Sequence, residues 1–217
     1  MSNGPLTAAL RLVVILDVDA ARGRDLAALA RAAVSGGSTM LQVRGKHIGA
    51  LALSNHVRSV LRGEDVRVPV VVNDRLDVAI ATGAAGCHLG QDDLPIAEAR
   101  GMVPPGFLLG GSAGTEDEAR RCAAAGADYL GIGPVRATTT KGDAGDPIGV
   151  EGFRRILAAG GLPAVAIGGI TTHDVPELLA AGAAGIAVTG AVLGARDTEA
   201  ATRELWKAVQ SRRLKVE

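Results

Sequence analysis

Aromatic residues are scarce in this sequence, with one Trp, one Tyr and two Phe among 217 residues. The chain therefore offers no aromatic surface on which bases could stack. Its 23 basic residues balance 23 acidic ones, so no net positive charge attracts nucleic acid or an anionic membrane. We expect neither partner, and we expect any anionic ligand to be bound by a local cluster of charges.

Cysteine and long apolar runs are also lacking. The two cysteines, Cys87 and Cys122, have neither metal-ligand nor redox spacing, which favours a reducing compartment. No run approaches the roughly 18 apolar residues of a membrane-spanning helix. The segment Leu6–Leu16 lacks the basic start of a signal peptide and contains Arg11, so a first strand is the better interpretation. We expect a cytoplasmic protein, and the sequence leaves open whether it forms a homo-oligomer.

Short apolar runs alternate with helical patterns along the whole chain. Most of these runs are continuously apolar, which is typical of strands buried on both faces of a parallel sheet. Eight such βα units predict fold class α/β and a single (β/α)8 TIM barrel that forms one catalytic domain over residues 1–217, with an open, doubly wound sheet as the alternative. The predicted strands are Leu12–Leu16, Thr39–Val43, Pro69–Val72, Gly86–Leu89, Phe107–Gly110, Asp128–Ile132, Ala164–Ile167 and Gly185–Val188.

Local signals mark several of the predicted helices. Thr115 and Glu118 have the spacing of a capping box, in which each side chain bonds an amide at the helix start. One helix face is predicted from the spacing of Leu26, Leu29, Ala30 and Ala33. Glycine ends four helices just before a strand, where a positive φ is often needed. These glycines are Gly36, Gly83, Gly126 and Gly182.

Polar and glycine residues follow or end most of the predicted strands. In a barrel these positions converge on one rim, the face that carries the active site. In chain order they are Gln42, Arg44 and Lys46; Asn73 and Asp74; Asp93; Ser112; Thr138, Thr139, Thr140 and Lys141; Gly168 and Gly169; and Thr189 and Gly190.

The chemistry of these residues predicts two kinds of anion site. Glycines after the seventh and eighth strands let backbone N–H groups reach a phosphate. Arg44, Lys46 and Lys141 add cations, and Asp74 and Asp93 add hard oxygen ligands suited to a magnesium ion shared with a diphosphate. A monophosphate site beside a metal-bound diphosphate site indicates a two-substrate transferase.

Structural alternatives exist for single residues. Asp93 could cap the fourth helix, and Asn73 or Asp74 could cap the third. The threonines of the sixth loop could form an ordinary polar loop, and Arg44 and Lys46 could be solvated charges. For His88, in an apolar strand, we favour a hydrogen-bonded core histidine over a ligand.

The ordered motifs of this chain resemble those of thiamine phosphate synthases over nearly its whole length. The motifs are Gln42-Val-Arg44-Gly-Lys46, Val72-Asn73-Asp74-Arg75, Cys87 to Asp93, Gly131 to Pro134 with Thr138 to Lys141, and Ile167-Gly168-Gly169-Ile170. The resemblance implies that hydroxymethylpyrimidine diphosphate is joined to a thiazole phosphate with release of pyrophosphate, and that Mg2+ is the cofactor. Three features depart from the family pattern: Gly45, Gly190 and a first strand without its usual Tyr and Thr.

The resemblance also implies roles for single residues. Asp74 and Asp93 would bind magnesium, and Arg44 and Lys141 would act electrostatically in catalysis. The pyrimidine diphosphate would be held by Gln42, Arg44, Lys46, Asn73, Ser112 and Lys141. The thiazole phosphate would be held by Thr138, Thr139, Thr140, Gly169, Thr189 and Gly190. A thiazole tautomerase-like isomerase, another phosphate-barrel isomerase and a non-catalytic barrel that binds a phosphorylated ligand are the competing functions.

Overall fold

The computed structural model describes residues 4–138 and 145–211. Its eight parallel strands pair in chain order, and β1 also pairs with β8, so the sheet is a closed barrel. The predicted (β/α)8 fold is confirmed, and the doubly wound alternative is wrong. The strands are β1 Leu12–Asp17, β2 Met40–Arg44, β3 Val70–Asn73, β4 Gly86–Leu89, β5 Leu108–Ala113, β6 Tyr129–Ile132, β7 Ala164–Ile167 and β8 Gly185–Val188.

Most of the helices cover the outside of this sheet. The helices of the described residues are α1 Gly4–Ala9, α2 Val18–Ala21, α3 Leu26–Ser35, α4 Ala50–Leu61, α5 Leu76–Thr82, α6 Ile96–Met102, α7 Glu116–Ala124, α8 Gly149–Gly160, α9 Val175–Ala180, α10 Gly190–Leu193 and α11 Thr198–Gln210. The predicted face of α3 is buried, and the capping box at Thr115 is present. Within the described residues no helix has the length and apolar character of a membrane span.

Alternation along the strands divides the apolar residues into two layers. Val13 and Ile15 point into the barrel, whereas Leu12 and Leu16 pack outward against the helices. The inner layer is completed from other strands by Met40, Val71, Tyr129, Val165 and Ala187. Leu6 and Ala9 of α1 pack against this inner layer, so the segment Leu6–Leu16 is a short helix followed by a strand rather than a strand throughout.

Three site residues lie beyond the predicted strand ends but belong to the strands themselves. Arg44 ends β2, Asn73 ends β3, and Ser112 lies in β5, whereas Gln42 lies within β2 as predicted. Backbone pairing continues to these polar residues; Arg44, for example, is in register with Asp17 of β1. A sequence boundary drawn where apolar residues stop therefore ends these strands too early.

One of the predicted helix-ending glycines is wrong in its backbone conformation. Gly83, Gly126 and Gly182 have positive φ as predicted, but Gly36 has φ −76° and Gly37 has φ 107° instead. At position 36 glycine is favoured by steric crowding rather than by its backbone angle, because a Cβ there would lie 2.6 Å from the Cβ of Thr202 in α11.

Candidate active site

A cavity of about 650 Å3 opens at the carboxyl-terminal ends of the strands. It brings together every predicted site residue that the structure describes. These residues are Gln42, Arg44, Lys46, Asn73, Asp74, Asp93, Ser112, Thr138, Gly169, Thr189 and Gly190. Thr139, Thr140 and Lys141 were predicted to join them but lie outside the described residues.

Arg44 is held inside this cavity rather than in solvent. Only 8% of its surface is exposed, and its Nη1 donates to a carboxylate oxygen of Asp17, which is 3% exposed. The interpretation of Arg44 as a solvated charge is therefore wrong. Its Nε is buried without a hydrogen-bond partner, so one donor of the guanidinium is unsatisfied in the described protein.

Asp17 is a cavity residue that sequence reasoning missed. The other oxygen of its carboxylate accepts a hydrogen bond from Ala20 N at 2.9 Å and so caps α2. The signal in the sequence was an acidic residue at the end of an apolar first strand. Its partner could be identified only from the register that places Asp17 beside Arg44.

Asp74 and Asp93 follow two neighbouring strands and are positioned by backbone contacts. Asp74 has φ 64°, a left-handed conformation, and its N–H donates to the carbonyl of His88 at 2.8 Å. Asp93 Oδ2 accepts from Gly90 N at 2.6 Å. The helices that follow, α5 and α6, have Arg75 and Pro95 as their N-cap residues, so the prediction that Asn73, Asp74 or Asp93 takes the N-cap position is wrong.

The two carboxylates act on the same neighbouring thiol. Burial raises the pKa of Cys87, and the charges of Asp74 and then Asp93 raise it further. Gly90 leaves the space into which the Asp93 carboxylate folds, since a Cβ at Gly90 would lie 2.9 Å from Asp93 Oδ2. Among the described residues no three His, Cys, Asp or Glu side chains converge as a metal cage.

The opposite side of the cavity includes the glycine-rich segments that follow β7 and β8. Gly168 and Gly169 follow β7 with φ 95° and 64°, and a Cβ on Gly169 would lie 2.8 Å from the Cβ of Arg136. After β8, Thr189 is the N-cap residue of α10 without a side-chain cap, and its carbonyl accepts from Val192 N and Leu193 N. Gly190 and Ala191 come before the residues whose N–H groups donate to Thr189, and the first amides of a helix have no acceptor within the helix.

A hydrogen-bonded histidine lies at the floor of the cavity. His88 Nε2 lies 3.1 Å from Ser112 Oγ, and Nδ1 lies 3.3 Å from the hydroxyl of Tyr129. The interpretation of His88 as a hydrogen-bonded histidine is confirmed, although the ring is only half-buried and lines the cavity. Gln91, which follows the fourth strand and for which no role of its own was predicted, donates from its Nε2 to Ser112 O at 2.6 Å.

Comparison with known proteins gives a consistent result. A family model described as thiamine monophosphate synthase matches residues 12–192. A thiamine-phosphate synthase of Moorella thermoacetica is 45% identical over 94% of this chain and 98% of that protein. Another, from Methanoculleus marisnigri, is 49% identical over 89% of this chain and 92% of that protein. The solved thiamine phosphate pyrophosphorylase from Pyrococcus furiosus has a TM-score of 0.85 and 37% identity, over 94% of this chain and 98% of that one.

Proposed function

Because the chain belongs to the thiamine monophosphate synthase family, we propose that it joins hydroxymethylpyrimidine diphosphate to a thiazole phosphate, releasing pyrophosphate and forming thiamine phosphate. The observation that carries this proposal is the convergence of all described candidate residues on one cavity of about 650 Å3. A cavity of this size accommodates small-molecule substrates.

The diphosphate is proposed to bind between β2 and β3. Arg44, Lys46 and Gln42 reach this region from β2 and its loop, and Asn73 ends β3. The unsatisfied Nε of buried Arg44 supports an anionic ligand here, because a buried donor without a partner costs about 1–3 kcal/mol. Lys141, in the sixth loop, is proposed to add a further cation.

Asp74 and Asp93 are proposed to hold Mg2+ beside the diphosphate. Two carboxylates on adjacent strand ends, with no third acidic or imidazole ligand converging among the described residues, fit an ion completed by phosphate oxygens and water. When bound, the ion supplies positive charge against the departing diphosphate oxygens.

The thiazole phosphate is proposed to bind on the opposite side of the cavity. Gly169 and Gly190 bring backbone amides close to the cavity, and the side chains of Thr138 and Thr189 line the same side. Thr139 and Thr140 are proposed to belong to this subsite by the family motif. Backbone amides at a helix start favour a phosphate because their partial positive charges point at it.

The chemistry required of these residues is mainly electrostatic. Pyrophosphate leaves from a benzylic-type carbon whose pyrimidine ring can stabilise positive charge. Arg44, Lys46 and Lys141 neutralise the charge that grows on the leaving oxygens. The phosphate subsite holds the thiazole so that its ring nitrogen faces this carbon, a proximity effect that needs no general base.

A two-substrate assay tests the proposed function. The protein is mixed with both substrates and Mg2+, and thiamine phosphate and pyrophosphate are measured together; we expect equal amounts of each. Chelation of Mg2+ by EDTA is expected to abolish both products. Absence of pyrophosphate from the complete mixture would reject the transferase, and full activity in EDTA would reject the metal site. Conversion of the thiazole phosphate without the pyrimidine substrate would favour the isomerase alternative.

A further inference from the structure

Three polar side chains form a chain of contacts on the floor of the cavity. Tyr129 of β6 contacts His88 of β4, and His88 contacts Ser112 of β5. The two distances, 3.3 Å and 3.1 Å, use the two different nitrogens of the His88 ring. The ring therefore links a residue of the inner barrel core to a hydroxyl that faces the cavity.

The barrel makes room for the His88 ring with two glycines on neighbouring strands. A Cβ on Gly110 of β5 would collide with both His88 Nδ1 and the Tyr129 ring, and a Cβ on Gly131 of β6 would lie 3.0 Å from His88 Cε1. Interior strand positions of a TM barrel are normally filled by branched side chains. The His88 ring occupies the space that Gly110 and Gly131 leave, where it contacts both Tyr129 and Ser112.

Burial determines the direction of the hydrogen bonds. Tyr129 is 2% exposed, and burial raises the pKa of its phenol, so the hydroxyl keeps its proton. His88 Nδ1 is the one acceptor that the described residues offer to this hydroxyl. If Nδ1 carried the proton instead, the buried phenolic O–H would have no acceptor among them, which is costly.

The remaining bonds follow from the first. With Nδ1 accepting from Tyr129, the neutral ring carries its proton on Nε2 and donates it to Ser112 Oγ. The Ser112 oxygen then acts as acceptor toward His88, and its own hydrogen points to the cavity. Ser112 thus presents a donor, suited to an acceptor such as a pyrimidine ring nitrogen.

We infer that Tyr129 and His88 are positioning residues that hold the Ser112 hydroxyl as a hydrogen-bond donor to the pyrimidine substrate. This inference rests on the proposed function for the identity of the substrate. It assigns no covalent step to His88, and the proton order, Tyr129 to His88 to Ser112, is the same before and after the reaction.

The state of the histidine can be measured without substrate. In the 15N-labelled wild-type protein, two-dimensional NMR of the four histidine rings reports which ring nitrogen carries the proton, and the His88→Gln variant identifies the His88 signals. We expect the Nε2–H form in the wild type and a mixture of tautomers in Tyr129→Phe. Predominance of the Nδ1–H form in the wild type would overturn the inference.

Kinetics test the consequence for the substrate. Tyr129→Phe is expected to raise KM for the pyrimidine diphosphate about three- to tenfold, the worth of one ordinary hydrogen bond, while kcat and KM for the thiazole phosphate stay unchanged. In a Ser112→Ala background the same change is expected to add nothing, because both residues act through one hydroxyl. Additive effects would contradict the inference.

The control variant is Thr202→Val. Thr202 is fully buried in α11, and its hydroxyl donates to Thr198 O at 2.7 Å, away from the cavity. The Thr202→Val substitution removes a buried hydroxyl without changing the site, so KM for the pyrimidine diphosphate is expected to stay at the wild-type value. If wild-type protein releases no pyrophosphate, the proposed function fails, while the NMR measurement still decides the order of the hydrogen bonds.

Discussion

The rim of the barrel is built differently on its two sides. On the side of β1 to β4 the cavity is lined by charged side chains, and Arg44 is buried against Asp17. On the side of β7 and β8 it is lined by Gly168, Gly169 and the amide-bearing start of α10. One side offers fixed charges, and the other offers close backbone approach.

This difference matches two different anions. A diphosphate that departs during the reaction gains charge, so charged groups placed at its oxygens lower the barrier. A monophosphate that only anchors its substrate keeps its charge, and neutral amides suffice to hold it. We therefore expect substitutions on the charged side to lower the rate of the reaction and substitutions on the glycine side to weaken binding of one substrate.

The largest effect is expected for Asp74→Asn. Asparagine tolerates the left-handed backbone of this position, with φ 64°, so the substitution removes the charge with little added strain. We expect kcat to fall at least about 100-fold, on the scale of losing one preorganised electrostatic contact. We also expect the Mg2+ concentration that gives half-maximal activity to rise. Steady-state assays over a Mg2+ titration measure both.

The matched control for this substitution is Asp77→Asn. Asp77 lies in α5 and pairs with Arg75 on the surface, outside the cavity. Its removal is expected to leave kcat and the Mg2+ titration unchanged. If Asp74→Asn behaved in the same way, the charged side of the rim would not bind the metal.

The second-largest effect is expected from weakening the buried ion pair between Asp17 and Arg44. Asp17→Asn keeps an oxygen to cap α2 but removes the charge opposite Arg44. We expect KM for the pyrimidine diphosphate to rise about tenfold, as when a charge-assisted hydrogen bond is weakened. Calorimetric titration with inorganic pyrophosphate is expected to show a similar loss of affinity.

Asp25→Asn controls for the capping role of Asp17. Asp25 also caps a helix through its carboxylate, accepting from Ala27 N at 3.0 Å at the start of α3, and it does not line the cavity. Wild-type KM in Asp25→Asn with a raised KM in Asp17→Asn would assign the effect to Arg44. Equal changes in both variants would assign it to the helix caps.

The two sides also differ in how well the sequence predicts them. The order of strands and the residues after them locate Asp74, Asp93 and Gly169, since strand order alone decides which loops share a rim. The partner of Arg44 is not predictable in this way, because it depends on the register of β1 against β2. The hydrogen bonds of His88 are equally hidden, because they depend on glycines that make space on two other strands.

On the glycine side, Gly169→Ala is expected to act on one substrate. A Cβ there would lie 2.8 Å from the Cβ of Arg136, and φ is 64°, so both crowding and backbone strain oppose the substitution. We expect a several-fold to about tenfold rise in KM for the thiazole phosphate, equivalent to about 1 kcal/mol, with kcat little changed.

Gly161 provides a control with the same backbone angle. Its φ is also 64°, but a Cβ there would meet no atom within 4 Å, and it lies at the end of α8 outside the cavity. Gly161→Ala carries the strain alone and is expected to lower the unfolding temperature without changing KM. A thiazole phosphate KM at the wild-type value in Gly169→Ala would remove this residue from the phosphate subsite.

The smallest effect is expected from a charged contact that connects the loops on the glycine side. Asp174 accepts from Arg136 Nε at 2.8 Å and from the backbone and hydroxyl of Thr171, which lines the cavity. Burial alone would raise the pKa of the Asp174 carboxyl, but the Thr171 hydrogen bonds and the Arg136 charge outweigh it and hold the pKa below its usual value. Ionised Asp174 therefore stabilises the folded protein.

We expect Asp174→Asn to lower the unfolding temperature by about 2–4 °C at pH 7, the shift produced by about 1 kcal/mol in a chain of this size. Because the folded-state pKa is lowered, the contribution is complete above the unfolded-state pKa and is lost as the pH falls through the folded-state pKa. The difference in unfolding temperature between variant and wild type should therefore shrink in acid.

Glu177→Gln, which removes a weaker and more exposed contact with Arg136, should show no such difference at any pH. A difference for Asp174→Asn that persists in acid would assign its role to packing rather than charge.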